Sequence, residues 1–128
     1  MLMLDANMIL RYLLNDHPDM ADTVEQLLSR GNVTVTIEVI AEVVYVLKRV
    51  YSLDRKTIAS SVQHFLKLVT PKDETVLKEA VKTYGEQNLD FVDCVLYAYS
   101  MHDGYEIATF DEKLKKLLNR GNANSGNS

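Results

Sequence analysis

Thiol chemistry is nearly absent from this chain. Its 128 residues include one cysteine, Cys94, so no disulfide can close within it and no thiol set exists for structural zinc. A reducing, cytoplasmic setting is the expectation. Long hydrophobic runs are missing too: nothing approaches the ~18 apolar residues of a membrane helix. The opening Met1-Leu2-Met3-Leu4 has no basic leader and stops at Asp5, so neither an anchor nor a signal peptide is expected. Basic charge is not in excess, since 14 Lys+Arg against 18 Asp+Glu leave −4. That excludes a globally basic nucleic-acid binder but not local basic patches. There is no Gly-rich phosphate loop, no G-x-S-x-G elbow and no H-E-x-x-H, which removes P-loop nucleotide hydrolysis, the usual serine hydrolases and zincin proteases. Asn7 takes the place of the second Asp of a D-x-D phosphatase opening. His17, His64 and His102 lie on unrelated predicted elements without metal-ligand spacing.

What is present is core material. With 47% hydrophobic residues the chain can bury a core without staples, and its length suits one domain. Residues 1–4 form an apolar run ending in Asp5, as a buried strand would, and helical spacing takes over from Met8 to Leu14. Pro18 just inside a start and Gly31 just past an end bracket a helix over 18–30. The β-branched stretch 33–36 reads as a second strand. A helix over 37–51 follows, apolar almost all round and hence central. Asp54 and Asp73 are placed to cap helices reaching about 69 and 88, with Pro71 breaking the chain between them, and Asp90 to cap a helix over 91–103 closed by Gly104. Residues 105–109 read as a strand delivering Asp111, and helical spacing resumes to Arg120. Residues 1–120 are therefore expected to form the domain, with 121–128 a disordered polar tail. Strands separated by helices need crossover connections, so the class is α/β with a parallel sheet, and ligands are expected beyond the carboxyl ends of the strands.

That rule selects Asp5 and Asp111, each directly after a predicted strand. Two more carboxylates stand in apolar surroundings: Glu42 between Val39-Ile40-Ala41 and Val43-Val44, and Asp93 between Phe91-Val92 and Cys94-Val95-Leu96. Burying ionised carboxylates together is costly unless something positive joins them. Mg²⁺ or Mn²⁺ favours such oxygen ligands together with water and substrate phosphate, and phosphodiester hydrolysis by a metal-activated water is the matching reaction. Each acid also admits an ordinary structural account. Asp5 would cap the helix near Asn7, and Asp93, third from Asp90, would complete a capping pair. Glu42 would pair with a cation such as Arg49, and Asp111 would serve as a turn or cap residue. Cys94 reads as a small buried hydrophobe.

The opening Asp5-Ala6-Asn7-Met8-Ile9-Leu10-Arg11-Tyr12-Leu13-Leu14-Asn15-Asp16 resembles the amino-terminal motif of PIN-domain ribonucleases, especially VapC-type toxins of toxin–antitoxin pairs. Glu42 within Ile40-Ala41-Glu42-Val43-Val44-Tyr45-Val46-Leu47 resembles the family's second acid. Phe91-Val92-Asp93-Cys94, with Asp90 upstream, resembles its third, and Thr109-Phe110-Asp111 its fourth. Order and total length agree over nearly the whole chain. The resemblance implies a PIN domain, a twisted parallel sheet of about four or five strands between helices. It implies an acidic site of Asp5, Glu42, Asp93 and Asp111 that holds Mg²⁺ or Mn²⁺, supported by Asp90, Asn7 and Thr109. It also implies an endoribonuclease that cuts RNA, is restrained by a cognate antitoxin, and forms a homodimer. Ala6 stands where the family often has a hydroxyl, so no side-chain contact is expected from that position. Arg11, Lys113, Lys115 and Lys116 are candidates for RNA phosphate contacts, with solvated helix faces as the alternative for each. The antitoxin is expected in a groove near 18–30 and 37–51. Two competing readings stand beside this one. One is a non-catalytic PIN-fold module that binds RNA or protein. The other, a receiver-like domain, lacks a phosphoacceptor Asp after a middle strand.

Overall fold

Helix starts in this chain are set by short polar side chains that satisfy otherwise orphaned backbone N–H groups. A computed structural model describes residues 1–126. Asp5 Oδ1 accepts from Met8 N at 2.9 Å and opens α1 (Ala6–Leu14). Pro18 sits at the start of α2 (Pro18–Arg30), where its missing N–H costs nothing. Thr36 caps α3 (Ile37–Arg49) through Val39 N, and Asp54 Oδ1 caps α4 (Arg55–Leu66) through Thr57 N at 2.7 Å. Asp73 precedes α5 (Glu74–Glu86) but does not cap it with its side chain: it takes a left-handed conformation, φ 50°, that turns the chain into the helix. Asp90 likewise precedes α6 (Phe91–Asp103) without a side-chain cap bond, and Gly104 at φ 73° ends that helix. Asp111 Oδ1 accepts from Leu114 N at 2.8 Å and opens α7 (Glu112–Gly126).

The sheet is smaller than expected. Among the described residues it consists of β1 (Leu2–Met3) and β2 (Val33–Thr34), parallel, with Leu2 opposite Val33 and Met3 opposite Thr34. On the free side of β2, Thr70 N and Lys72 N donate to the carbonyls of Val33 and Val35 at 2.8 and 3.0 Å. Pro71 lies between these two donors, so the segment can run along β2 without continuing a ladder. Residues 105–109, expected as a strand, carry no strand pairing. Ile107 and Thr109 are half-buried at alternate positions while Glu106, Ala108 and Phe110 are exposed, so the segment is patterned for a sheet but lacks a partner. The four or five strands anticipated are therefore not present among the described residues. The α/β order of elements is.

The core lies between two helical groups joined by α3. Helices α1 and α2 pack together, α5 packs on both α4 and α6, and α6 meets α7. Helix α3 touches α1, α4 and α6, and buries Ile40, Val43, Val44 and Leu47 completely or nearly so. Gly85 allows a close approach of α4 and α5, since a Cβ there would stand 2.7 Å from Ala59 Cβ. The expected disordered tail meets helical backbone over 121–126, as α7 runs on past Arg120, and its last two positions lie outside the described residues. No helix among the described residues is long and apolar enough to cross a membrane.

Candidate active site

Helix α6 packs against α7, and the charge of Asp111, at the start of α7, is felt at Asp93 in the first turn of α6. Asp93, in the first turn of α6, is half-buried, and its carboxyl is pushed above its ordinary value by burial first, then by the negative charges of Asp111 and Asp90. A helix N-terminus favours a carboxylate, so the upward direction means that desolvation and like charge outweigh the dipole. Among the described residues, no salt bridge supplies any of these three with a cation: Arg11 goes to Asp16, Lys78 to Glu74, His102 to Glu79 and Lys115 to Glu112. The structure thus gathers Asp90, Asp93 and Asp111 into one field of negative charge.

Asp111 is held at both ends of its residue. Its backbone N–H donates to Thr109 Oγ1 at 3.0 Å and its Oδ1 accepts from Leu114 N, so Thr109 supports the acid through the main chain. Asp5 is oriented in the same manner by Met8 N, and in both cases the cap occupies Oδ1 and leaves Oδ2 outside the cap bond. Both acids therefore perform the capping role that was their ordinary account, with a second oxygen to spare. Asn7 is exposed on the first turn of α1.

Glu42 departs from expectation. Its apolar sequence neighbours Val43 and Val44 turn into the core, whereas Glu42 itself is exposed on a stripe with Glu38, Tyr45 and Arg49. The energetic cost that suggested a buried acid does not apply to it. Across the described residues, no three His, Cys, Asp or Glu side chains stand close enough to hold a metal ion. The donor chemistry of Asp93 and Asp111 suits a hard dication, being oxygen ligands of excess negative charge without a cation. The four acids of the expected set are not, however, drawn into a closed cage.

The basic candidates divide. Arg11 Nη1 pairs with Asp16 Oδ2 at 2.9 Å, its side chain is 15% exposed, and its Nε is buried without a hydrogen-bond partner. It is engaged locally rather than presented to solvent. Lys115 pairs loosely with Glu112 at 3.5 Å, while Lys113 and Lys116 are exposed. Cys94 is fully buried beside Asp93, and desolvation pushes its thiol up to about 12, which makes it an inert core residue rather than a nucleophile.

One residue of consequence was not anticipated. Arg55, in the first turn of α4, points one nitrogen, Nη1, at the carbonyls of Tyr84, Gln87 and Leu89 at 3.2, 2.8 and 2.6 Å, and its guanidinium lies 4.3 Å from the Tyr84 ring centre. It ties down the turn that ends at Asp90. The available signal was electrostatic: a cation in the first turn of a helix opposes the dipole, and here the carbonyls at the end of α5 compensate. Arg55 also lines a cleft of about 690 Å³ between α3 and the start of α6, whose other walls include Tyr45, Lys48, Arg49, Asp90 and Asp93.

Comparison with known proteins identifies the family. The PIN domain family matches residues 2–118. The chain is 30% identical, over 125 aligned residues, to a protein described as VapC ribonuclease from Aquifex aeolicus (strain VF5), with 91% of this chain and 92% of that protein covered. No solved structure matches. A family match across nearly the whole chain, with Asp5, Glu42, Asp93 and Asp111 all inside the matched span, places this protein in the PIN domain family.

Proposed function

We propose that this protein is an endoribonuclease that depends on Mg²⁺ or Mn²⁺ and hydrolyses RNA phosphodiester bonds, the toxin of a toxin–antitoxin pair acting in the cytoplasm as a homodimer. The observation that carries the reading is the half-buried Asp93, whose charge is opposed by burial and by Asp111 and Asp90 with no salt bridge among the described residues to relieve it. Such an arrangement is stable at neutral pH when a cation joins the carboxylates. The VapC ribonuclease relative supports the choice of RNA as substrate.

Asp5, Glu42, Asp93 and Asp111 would hold the dication. When bound, the metal would make a water more nucleophilic and stabilise charge on the phosphoryl oxygens. The chain supplies the rest. Asp5 and Asp111 are kept in single orientations by their cap bonds, and Thr109 fixes the main chain of Asp111. Asp90, which makes no cap bond, stands beside the set as a supporting acid. Asn7 flanks the site from α1, and Lys113, Lys115 and Lys116 approach the RNA backbone from α7. Arg11, tied to Asp16, would act by shaping α1 rather than by touching phosphate.

Purified protein should cleave single-stranded or structured RNA with Mg²⁺ or Mn²⁺, stop with EDTA, and lose activity in Asp5→Asn or Asp93→Asn. Cleavage that needs no metal and survives both substitutions would reject the proposal. The absence of a closed three-ligand set among the described residues favours, as a second reading, a non-catalytic module that binds RNA or a protein partner. That reading requires binding undiminished by Asp5→Asn and no turnover under any metal.

A further inference from the structure

The cleft beside Asp93 has walls of opposite charge. Asp90 and Asp93 stand on the α6 side, and Lys48 and Arg49 on the α3 side, with the Tyr45 ring next to them. Positions 45, 48 and 49 are spaced i, i+3 and i+4, so one face of α3 presents all three together. Tyr45 is 63% exposed although it follows two buried valines, and neither Lys48 nor Arg49 has a salt-bridge partner among the described residues. Val92, 61% exposed, adds an apolar patch on the facing wall. An exposed ring beside two unpaired cations is unexplained by packing, because none of the three contributes to the core. The cleft's volume, about 690 Å³, falls within the range of small-ligand sites.

We infer that this cleft seats one nucleotide of single-stranded RNA next to the scissile bond, with Lys48 and Arg49 on its phosphate and the Tyr45 ring against its base. The inference rests on the ribonuclease reading and names how that site would hold its substrate. The charge layout selects the occupant. An acidic peptide would meet repulsion from Asp90 and Asp93, and a basic one from Lys48, Arg49 and Arg55. A nucleotide strand separates its chemistries along its length: one phosphate lies between cations, an unstacked base lies on an aromatic face, and the next phosphate reaches the carboxylates with their dication. Because every base has a π-face, Tyr45 would hold the strand without choosing its sequence.

The test uses a fluorescein-labelled single-stranded RNA oligonucleotide, with binding followed by anisotropy in EDTA and cleavage followed in Mg²⁺. Tyr45→Ala should weaken binding roughly tenfold, the scale of losing one base–aromatic stack. Lys48→Gln combined with Arg49→Gln should flatten the dependence of log affinity on log salt by roughly 0.7 to 1.4, as expected for one or two phosphate contacts to a single strand. In cleavage, both variants should raise KM while kcat stays within about twofold. All three side chains are exposed, so unchanged melting temperatures are expected and separate lost binding from lost folding. If wild-type protein cleaves RNA and these variants bind it as tightly and with the same salt slope, the cleft assignment is wrong while the nuclease reading stands. If nothing cleaves but the variants still lose RNA, the cleft is an RNA-binding site, and the nuclease reading fails together with the placement beside a scissile bond. Should Tyr45→Ala instead convert a dimer to a monomer in sedimentation with RNA affinity unchanged, the cleft is an interface between two copies and the inference is overturned.

Discussion

Replacing Arg55 by methionine isolates the contribution of a single side chain to the site. Three carbonyls, those of Tyr84, Gln87 and Leu89, would lose a charged donor at once, and the Tyr84 ring would lose its cation. A hydrogen bond to a charged group contributes about 1.5–3 kcal/mol, but one nitrogen serves all three acceptors and the partly buried carbonyls recover water, so the three do not add. With about 0.5–1 kcal/mol from the cation–π contact, the expected loss is roughly 3 kcal/mol. An unfolding entropy of about 2.1 cal/mol/K per residue converts this to a fall in Tm of roughly 11 °C for 128 residues. Arg55→Lys keeps charge without the planar fork and should fall between the two. The functional effect should exceed what stability explains. The turn held by Arg55 leads directly into Asp90 and Asp93, so even at a temperature where the methionine variant is fully folded, RNA cleavage should drop about 10- to 100-fold, as displacement of a catalytic group by ~1 Å would cause. Differential scanning calorimetry and single-turnover cleavage at 20 °C read the two quantities. A methionine variant melting within about 2 °C of wild type and cleaving at its rate would show that the turn holds itself.

Three further outcomes follow from named contacts. Gly85→Ala should destabilise by about 1–2 kcal/mol in urea unfolding despite better helix propensity, because its Cβ would meet Ala59 Cβ at 2.7 Å, and Ala59→Gly should recover part of the loss; additive effects would contradict the contact. Asp93→Asn should abolish cleavage yet melt above wild type at pH 7 without metal: a raised folded-state pKa means the carboxylate costs stability above that pKa, a cost that disappears as pH falls through it. The gap between the two proteins should therefore shrink toward acid, and an asparagine variant less stable at pH 7 would refute the account from burial and like charge. Cys94, buried with its thiol near 12, should resist iodoacetamide at pH 8 on the timescale that modifies the unfolded chain, and fast native alkylation would contradict its placement.

The parts of this fold that were legible in the sequence are those set by local chemistry. Helices α2 and α6 begin and end where Pro18, Gly31, Asp90 and Gly104 place them, since caps act within a turn. The strand expected over 105–109 fails for a reason propensity does not register. Alternation orients side chains, but a strand exists only through a neighbour, and β1 offers two residues, both exposed. Glu42 shows the converse error. Its flanking valines are neighbours along the chain, whereas on a helix the positions that share its face are Glu38 and Tyr45, both exposed. Residue type alone points to a cap at Asp73, and its left-handed backbone removes the geometry a cap requires. The carbonyls that Arg55 reaches lie 29 to 34 residues away, beyond any local pattern. Asp93 stands out in the sequence because its flanks, Phe91-Val92 and Cys94-Val95-Leu96, are apolar, and the structure half-buries it.

Two of the acids in the expected set are also helix caps, and this overlap decides how the site must be probed. In Asp5 and Asp111 one oxygen accepts a backbone N–H, so the carboxylate performs a structural task that needs only an acceptor and a proposed chemical task that needs a charge. Alanine removes both, with a cap loss of about 1 kcal/mol, and inactivity of Asp5→Ala would therefore say nothing about chemistry. Asparagine is as good a cap as aspartate and has no charge, so Asp5→Asn keeps the α1 start intact while leaving no anionic oxygen for a cation. Wild-type stability with lost cleavage in Asp5→Asn would locate the requirement in charge, and retained cleavage with lost stability in Asp5→Ala would locate it in the helix. Asp93 offers no such separation by hydrogen bonding, as its strain is electrostatic. There the same substitution should raise stability as it removes cleavage, and that opposition of sign would distinguish an acid kept for a cation from one kept for the fold.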